Sequence, residues 1–156
     1  MKTRSDFHLM PGHLIRRAHQ ISVAIFIEEC AANNVTPVQY ACLAQIARQP
    51  GVDATRLAAA VAFDRSTLGN VLERLETKGW VERKPSPEDR RVKLLHITEA
   101  GEQLLDAIEP GVVATQKRLL KPLNPADRKI FMKLLGDIVE GNNEVSRAPM
   151  GEVSSE

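Results

Sequence analysis

The sequence predicts a mainly α-helical fold carrying one small β-hairpin. Apolar residues recur at helical spacing, most clearly Leu68, Val71, Leu72 and Leu75, which stand at i, i+3, i+4 and i+7. One stretch, from Trp80 to Ile97, places two strand-like runs on either side of a Pro-rich turn, as in a hairpin. The composition is 43% hydrophobic but only 4% aromatic, which suits aliphatic helices packed on helices.

Residues 1–36 read as an arm and a first helix. Met1 to Pro11 reads as extended chain holding Phe7, His8 and Leu9, and Pro11-Gly12 marks a turn. The helix then runs from about His13 to Asn33. Leu14, Ala18, Ile21 and Ile25 form one stripe, which Ile15, Val23, Phe26 and Ile27 broaden. A helix apolar over so much of its circumference needs cover on several sides. One small domain offers too little, so part of it is expected to pack on a second subunit.

Residues 37–100 form the expected central domain. Thr36 is the N-cap of a second helix and Pro37 its first residue. That helix runs to about Arg48, buries some of Val38, Ala41, Leu43, Ala44 and Ile46, and ends at Gln49-Pro50-Gly51. Asp53 caps a short third helix in which Leu57 and Val61 share a face. Phe63-Asp64-Arg65-Ser66 breaks the run with side chains that favour caps and turns. A fourth helix runs from about Arg65 to Lys78, with Gly79 where a left-handed C-terminal residue belongs.

Two short helices across a tight turn are the minimal helix-turn-helix, whose second helix enters the DNA major groove. Opposite its leucines the fourth helix carries Ser66, Thr67, Asn70, Glu73, Arg74 and Thr77. Ser66, Thr67 and Asn70 are short hydrogen-bonding side chains suited to base edges, and Arg74 can reach guanine or phosphate. Taken alone, such a face is just as well an ordinary solvated one. The hairpin adds weight. Trp80 to Lys84 reads as a strand, Pro85-Ser86-Pro87-Glu88-Asp89 is turn chemistry, and Arg90 to Ile97 returns as the second strand. Its tip gathers Arg83, Lys84, Arg90, Arg91 and Lys93 against Glu88 and Asp89. A narrow basic ribbon suits an A·T-rich minor groove, whose negative potential attracts arginine. Asp89, two residues before Arg91, is placed to hold one guanidinium while the other reaches out. Away from the helix, the same turn would be a common solvated charge cluster.

Residues 101–143 read as C-terminal helices. After Thr98 as N-cap, a long helix runs toward Leu120 with Leu104, Leu105, Ile108, Val112 and Leu119 at helical spacing. Pro110-Gly111 is expected to interrupt and kink it. Asn124 caps a last helix with the stripe Phe131, Leu134, Leu135 and Ile138, which stops near Gly141-Asn142-Asn143. Residues 144–156, rich in Ser, Gly, Pro and Glu, read as a disordered tail. The first and last helices keep apolar faces after the central domain is built. The economical account is a two-fold homodimer with two recognition helices about 34 Å apart, and hence a pseudo-palindromic operator in double-stranded DNA.

At these residues the chain resembles the MarR-type winged helix-turn-helix transcriptional regulators. The resemblance rests on Arg65-Ser66-Thr67 opening the helix and on Leu72-Glu73-Arg74-Leu75-Glu76-Thr77-Lys78-Gly79-Trp80-Val81-Glu82-Arg83 leaving it. It rests equally on Asp89-Arg90-Arg91 and on Leu95-His96-Ile97-Thr98-Glu99-Ala100-Gly101, where Ile97 stands in place of the usual Leu. It implies a winged helix with a dimerisation arm made from the N- and C-terminal helices. It implies DNA contacts at Arg65, Ser66, Thr67, Asn70, Arg74, Lys84, Arg90, Arg91 and Lys93. It also implies a small aromatic acid effector bound between the arm and the winged helix. His8, His13 and Arg16 are groups able to meet its carboxylate, with Phe7 and Tyr40 as ring contacts; equally, His13 and Arg16 can face water and Tyr40 can be core. The run from Phe7 to Arg17 is similar to the repressors of nicotinate breakdown, which respond to hydroxylated nicotinate.

The bulk properties narrow the alternatives. At 156 residues and a formal net charge of +1, the chain has no global basic field, so any DNA affinity must come from local clustering. No apolar run approaches the roughly 20 residues that span a bilayer, and no secretion signal is evident, so a cytoplasmic location without membrane contact is expected. Cys30 and Cys42 do not make a disulfide framework and read as small core residues. His8, His13, His19 and His96 do not form a metal-ligand pattern, and no cofactor site is expected. No Ser-His-acid or Cys-His spacing suggests catalysis, so an enzyme is not expected. The remaining alternative is a winged helix that binds proteins without sequence-specific DNA binding.

Overall fold

The computed structural model of the protein describes residues 6–151; the outer parts of the expected arm and tail, residues 1–5 and 152–156, lie outside the described residues. Six helices and three short strands follow one another, and the three-stranded antiparallel sheet has the order β1-β3-β2.

The N-terminal segment is not extended as expected. Phe7–Leu9 forms a 3-10 turn, capped by the Asp6 carboxylate, which accepts from the His8 N–H at 3.0 Å. Helix α1 (Pro11–Glu29) begins two residues before His13. Proline at the first helical position loses no bond and has its φ preset, so Pro11 starts the helix instead of delaying it. The expected end at Asn33 is also corrected. Ala31–Asn33 is a separate 3-10 turn, closed by Asn34 in the left-handed region at φ 49°.

Helix α2 (Pro37–Arg48) starts as expected at Thr36-Pro37. The Thr36 hydroxyl accepts from the Gln39 N–H at 3.2 Å, and the Gln39 side chain accepts from the Thr36 N–H at 3.1 Å. This capping box satisfies two donors and lets Gln39 be buried. Strand β1 (Val52–Asp53) was not expected. It pairs Val52 with Leu95 and Asp53 with Leu94, and it leads directly into α3 (Ala54–Val61), capped by Asp53. Helix α4 (Arg65–Thr77) is capped by Asp64. It ends with Gly79 at φ 73°, Trp80 N–H donating to Leu75 O at 3.0 Å and Gly79 N–H to Glu76 O at 2.9 Å, a Schellman motif.

Strand β2 (Val81–Pro85) pairs with β3 (Lys93–Ile97) in register from Val81↔Ile97 to Pro85↔Lys93. Arg90, Arg91 and Val92 were expected in the second strand but belong to the turn. The Val92 N–H folds back onto Asp89 O at 2.9 Å, and Ser86 N–H closes the loop onto Val92 O at 2.9 Å.

Helix α5 (Glu99–Leu119) runs through Pro110 as one helix, so the expected interruption is absent. Pro110-Gly111 instead marks a crossing. A Cβ on Gly111 would stand 2.6 Å from Glu29 O at the end of α1. Arg118 strengthens the same contact with ion pairs to Glu28 at 2.9 Å and Glu29 at 2.6 Å. The start of α5 is fastened to the exit of α4. Thr98 N–H donates to Trp80 O at 3.0 Å, and the Thr98 hydroxyl donates to Gly79 O at 2.6 Å. Gly101 admits this contact, since a Cβ there would collide with Trp80 O.

Helix α6 (Pro125–Gly141) is capped by Asn124 and has no buried residue. The expected tail is corrected over residues 144–151. Asn143–Val145 forms a 3-10 turn, and Gly151 N–H donates to Ala59 O at 3.0 Å.

The core lies where α2, α3, α4, the sheet and α5 meet. Cys42, Leu43, Ile46, Leu57, Leu68, Leu72, Leu75, Leu95 and Ile108 are almost fully buried there. Leu68, Leu72 and Leu75 are three of the four residues in the predicted α4 stripe; each contributes about 1.5–3 kcal/mol by leaving water. Val71, the fourth, packs against the core half-buried. This stripe fixes which face of α4 turns outward.

Candidate nucleic-acid interface

With its leucines buried, α4 presents Arg65, Ser66, Asn70 and Arg74 to solvent. Asn70 and Arg74 make no side-chain hydrogen bond or ion pair among the described residues and line one open groove with Glu73, Thr77 and Lys78. Thr67 is placed differently. Its hydroxyl donates to Asp64 Oδ2 at 2.9 Å and its N–H to Oδ1 at 2.9 Å, so its proton is committed to the cap and only acceptor capacity remains. Arg65 leans on α3, donating to the Thr55 hydroxyl at 2.9 Å. The two bonds from Thr67, and then the Arg147 guanidinium, hold the Asp64 carboxyl below its ordinary range, so the cap stays ionised.

The wing tip is built around Asp89. Its carboxylate accepts from Arg91 Nε at 3.1 Å, from Arg91 Nη2 at 3.0 Å and from the Arg91 backbone N–H at 3.0 Å. These bonds lower the Asp89 pKa and raise that of Arg91. The guanidinium is thus held by one edge while its side chain remains 91% exposed. Arg90, beside it, is exposed, as is Lys93 at the foot of β3. Lys84 is drawn to Glu82 at 2.6 Å, so its charge is partly offset. Arg83 bridges the wing to α4 through Glu76 at 2.9 Å. Lys78 anchors the far end of α4: its ammonium donates to Asn34 O at 3.2 Å and lies 4.4 Å from the Trp80 ring centre.

Sequence reasoning overlooked two cations. Arg56 lines a cleft with Thr55, Arg83, Val92 and Lys93, between the start of α3 and the wing. Only β1, paired with β3, brings the start of α3 there, and a two-residue strand leaves no pattern. Arg147 reaches Asp64 at 3.0 Å from the C-terminal segment, where composition gave no signal at all.

Four of the five expected effector residues come together. Phe7 and His8 have ring centres 3.9 Å apart, and His13 meets them edge-on at 5.1 Å and 5.3 Å. Arg16 lies 3.5 Å from His13 Nδ1. Tyr40 is elsewhere: its ring is 5.8 Å from Phe26, which stands 13 residues along α1 from His13, about 20 Å at the helical rise. Burial, then the charge of Glu109, raises the Tyr40 pKa. Burial pushes the Cys42 thiol up to about 12 and raises that of Cys30, so both stay protonated and unreactive at neutral pH. Among the described residues, no three His, Cys, Asp or Glu side chains are placed to share a metal ion, and no helix is long and apolar enough to cross a membrane.

Comparison with known proteins agrees with this geometry. The MarR family model matches residues 35–93, from the approach to α2 through the wing to the start of β3. The transcriptional repressor NicR of Pseudomonas putida is 30% identical over 84% of this chain and 83% of its own length. A putative transcriptional regulatory protein for the hcr operon of Thauera aromatica is 36% identical over 88% of this chain and 80% of its own. The Bordetella bronchiseptica regulator BpsR, solved in a study of how 6-hydroxynicotinic acid regulates its DNA binding, superimposes with a TM-score of 0.82. It is 30% identical and covers 86% of this chain and 96% of its own. Relatives this similar over most of their length, together with the family model that spans the helix-turn-helix and most of the wing, make this chain a member of the MarR family.

Proposed function

We propose that the protein is a homodimeric, cytoplasmic transcriptional repressor that grips a pseudo-palindromic operator and is released by a small aromatic acid. Helix α4 enters the major groove with Ser66, Asn70 and Arg74 toward the bases, and the wing places Arg90 and Arg91 in the flanking minor groove, with Lys84 and Lys93 near phosphate. Thr67 supports the entry of α4 more than it reads sequence, because its hydroxyl proton is committed to Asp64, while Arg65, leaning on Thr55 by one bond, keeps donors for phosphate. The observation that carries this reading is the Asp89 brace. It holds an exposed guanidinium at the end of a narrow ribbon without hiding it, which serves binding and adds nothing to the core.

The dimer follows from what α1 and α6 leave uncovered. Leu14, Ile21 and Ile27 on α1, and Ile130, Phe131, Leu134 and Ile138 on α6, are each 38% exposed or more. Nothing in the described chain buries these side chains, and a matching apolar face on a second subunit would. A hydroxylated nicotinate is the first effector to try, since one similar protein is the repressor NicR and the DNA binding of another, BpsR, is regulated by 6-hydroxynicotinic acid. The ring cluster of Phe7, His8 and His13, with Arg16 beside it, has the apolar wall and cationic edge that an aromatic carboxylate needs. Tyr40 belongs to such a site only if a second subunit supplies the rest. An effector releases DNA only by binding the DNA-incompatible arrangement better.

The test is a gel shift on the DNA upstream of the protein's own coding sequence, repeated with 6-hydroxynicotinic acid and with benzoate. A retarded band that the hydroxylated acid abolishes is the expected result. Absence of any band would favour the protein-binding alternative.

A further inference from the structure

The C-terminal segment is built as a closed loop. Asn143 uses its side-chain amide as a strand would: Nδ2 donates to Met150 O at 3.0 Å, and Met150 N–H donates to Oδ1 at 2.9 Å. Inside the loop, Ala148 N–H donates to the Ser146 hydroxyl at 3.2 Å. The loop is seated on the helix-turn-helix by Gly151, whose N–H fills a carbonyl in the last turn of α3, where a helix leaves acceptors unpaired. The seat is tight, since a Cβ on Gly151 would stand 2.9 Å from the Ala59 Cβ. Arg147 projects from the loop to the junction of α3 and α4, where it meets Asp64 at 3.0 Å with its side chain 87% exposed.

We propose that this loop is a third DNA-contacting element, which brings the Arg147 guanidinium to a backbone phosphate beside the start of α4. This rests on the DNA-binding reading above. In a helix-turn-helix the first helix crosses the sugar-phosphate backbone and the second enters the groove by its N-terminal end, so the junction lies where a strand passes. Asp64 is required there as the cap of α4, yet a carboxylate repels phosphate. Arg147 offsets that charge and spends one of its five donors doing so, leaving the others to face outward. Arg65 does not do the same, because it is turned toward Thr55.

The experiment measures association with two duplexes, the DNA upstream of the protein's own gene and a mixed-sequence duplex, between about 50 and 200 mM salt. Arg147→Ala is expected to lower affinity about tenfold on both. It should also make the slope of log K against log salt shallower by about one per subunit, while the melting temperature holds. Arg147→Lys should restore the slope. Asn143→Ala, which opens the loop without removing a charge, should lie between and covers the case in which Arg147→Ala folds poorly. An unchanged slope for Arg147→Ala, whether or not affinity falls, would reduce the residue to a cap partner and overturn the proposal. A wild-type protein that binds neither duplex would instead overturn the DNA-binding reading on which it rests.

Discussion

Arg91 and Asp89, two residues apart at the tip of the wing, are joined by two side-chain bonds of 3.1 and 3.0 Å and one backbone bond of 3.0 Å. The arginine is therefore oriented before it meets anything else. A preorganised guanidinium loses less rotamer entropy on binding than a free one.

Arg91→Ala is expected to weaken operator binding by about five- to a hundredfold. Its side chain is 91% exposed, so the melting temperature should not move. Asp89→Asn keeps the cation but loosens it and should cost less. A gel shift beside a thermal melt measures both, and full affinity in Arg91→Ala would remove the wing from the account.

Asn70→Ala should relax sequence preference more than it lowers affinity for mixed-sequence DNA. Asn70 is exposed on α4 and unpaired among the described residues. Binding-site selection with wild type and variant tests this, and equal losses on every sequence would reject a base-reading role.

Acid should loosen both ends of the DNA-facing surface. The Asp64 and Asp89 carboxyls lie below their ordinary range in the folded protein. A lowered folded pKa stabilises fully above the unfolded value of about 3.9, and that contribution is lost as pH falls through the folded value. Melts should therefore be insensitive to these groups above about pH 5 and fall below about pH 4. Asp64→Asn, which keeps a capping oxygen, should flatten part of the fall.

Gly111→Ala is expected to destabilise by about 1–3 kcal/mol through overpacking, measured as a lower urea midpoint. The new methyl would lie 2.6 Å from Glu29 O and 3.0 Å from the Cys30 sulfur, and backbone cannot step aside cheaply. Gly69→Ala serves as the control, because Gly69 is exposed on α4 and nothing lies within 4 Å of a Cβ there.

Leu134→Glu should convert the dimer to a monomer in light scattering while leaving the helical signal intact. Leu134 is 52% exposed on a helix that buries nothing within its own chain. A variant that stays dimeric would place the interface elsewhere.

The sequence was most legible where structure is decided locally. Thr36-Pro37, Asp53, Thr98 and Asn124 each cap the helix assigned to them, because a cap needs only a side chain and an N–H three residues on. It was least legible where distant partners decide. Val52–Asp53 becomes a strand only because Leu94 and Leu95 lie alongside. Arg90 to Val92 continue the strand-like run that follows them, yet the Val92 N–H returns to Asp89. Pro110-Gly111 breaks a helix by local rule, but here the packing of α1 on α5 outweighs one missing bond. Within the candidate site, the chemical types on α4 and the wing could be read directly. Which of them were already engaged could not: Thr67 with Asp64, Arg65 with Thr55 and Lys84 with Glu82 are meetings set by three-dimensional placement. For the same reason the tail looked featureless, since composition carries no trace of the Asn143 clip or of the seat on Ala59.

The Thr98 bonds to Gly79 and Trp80 leave no slack between the exit of α4 and the first turn of α5. These helices share a fulcrum. A swing of the long limb of the lever is expected to carry the short one with it. On the function proposed above, a molecule wedged along α5 is expected to shift α4 without a relay of side chains in between.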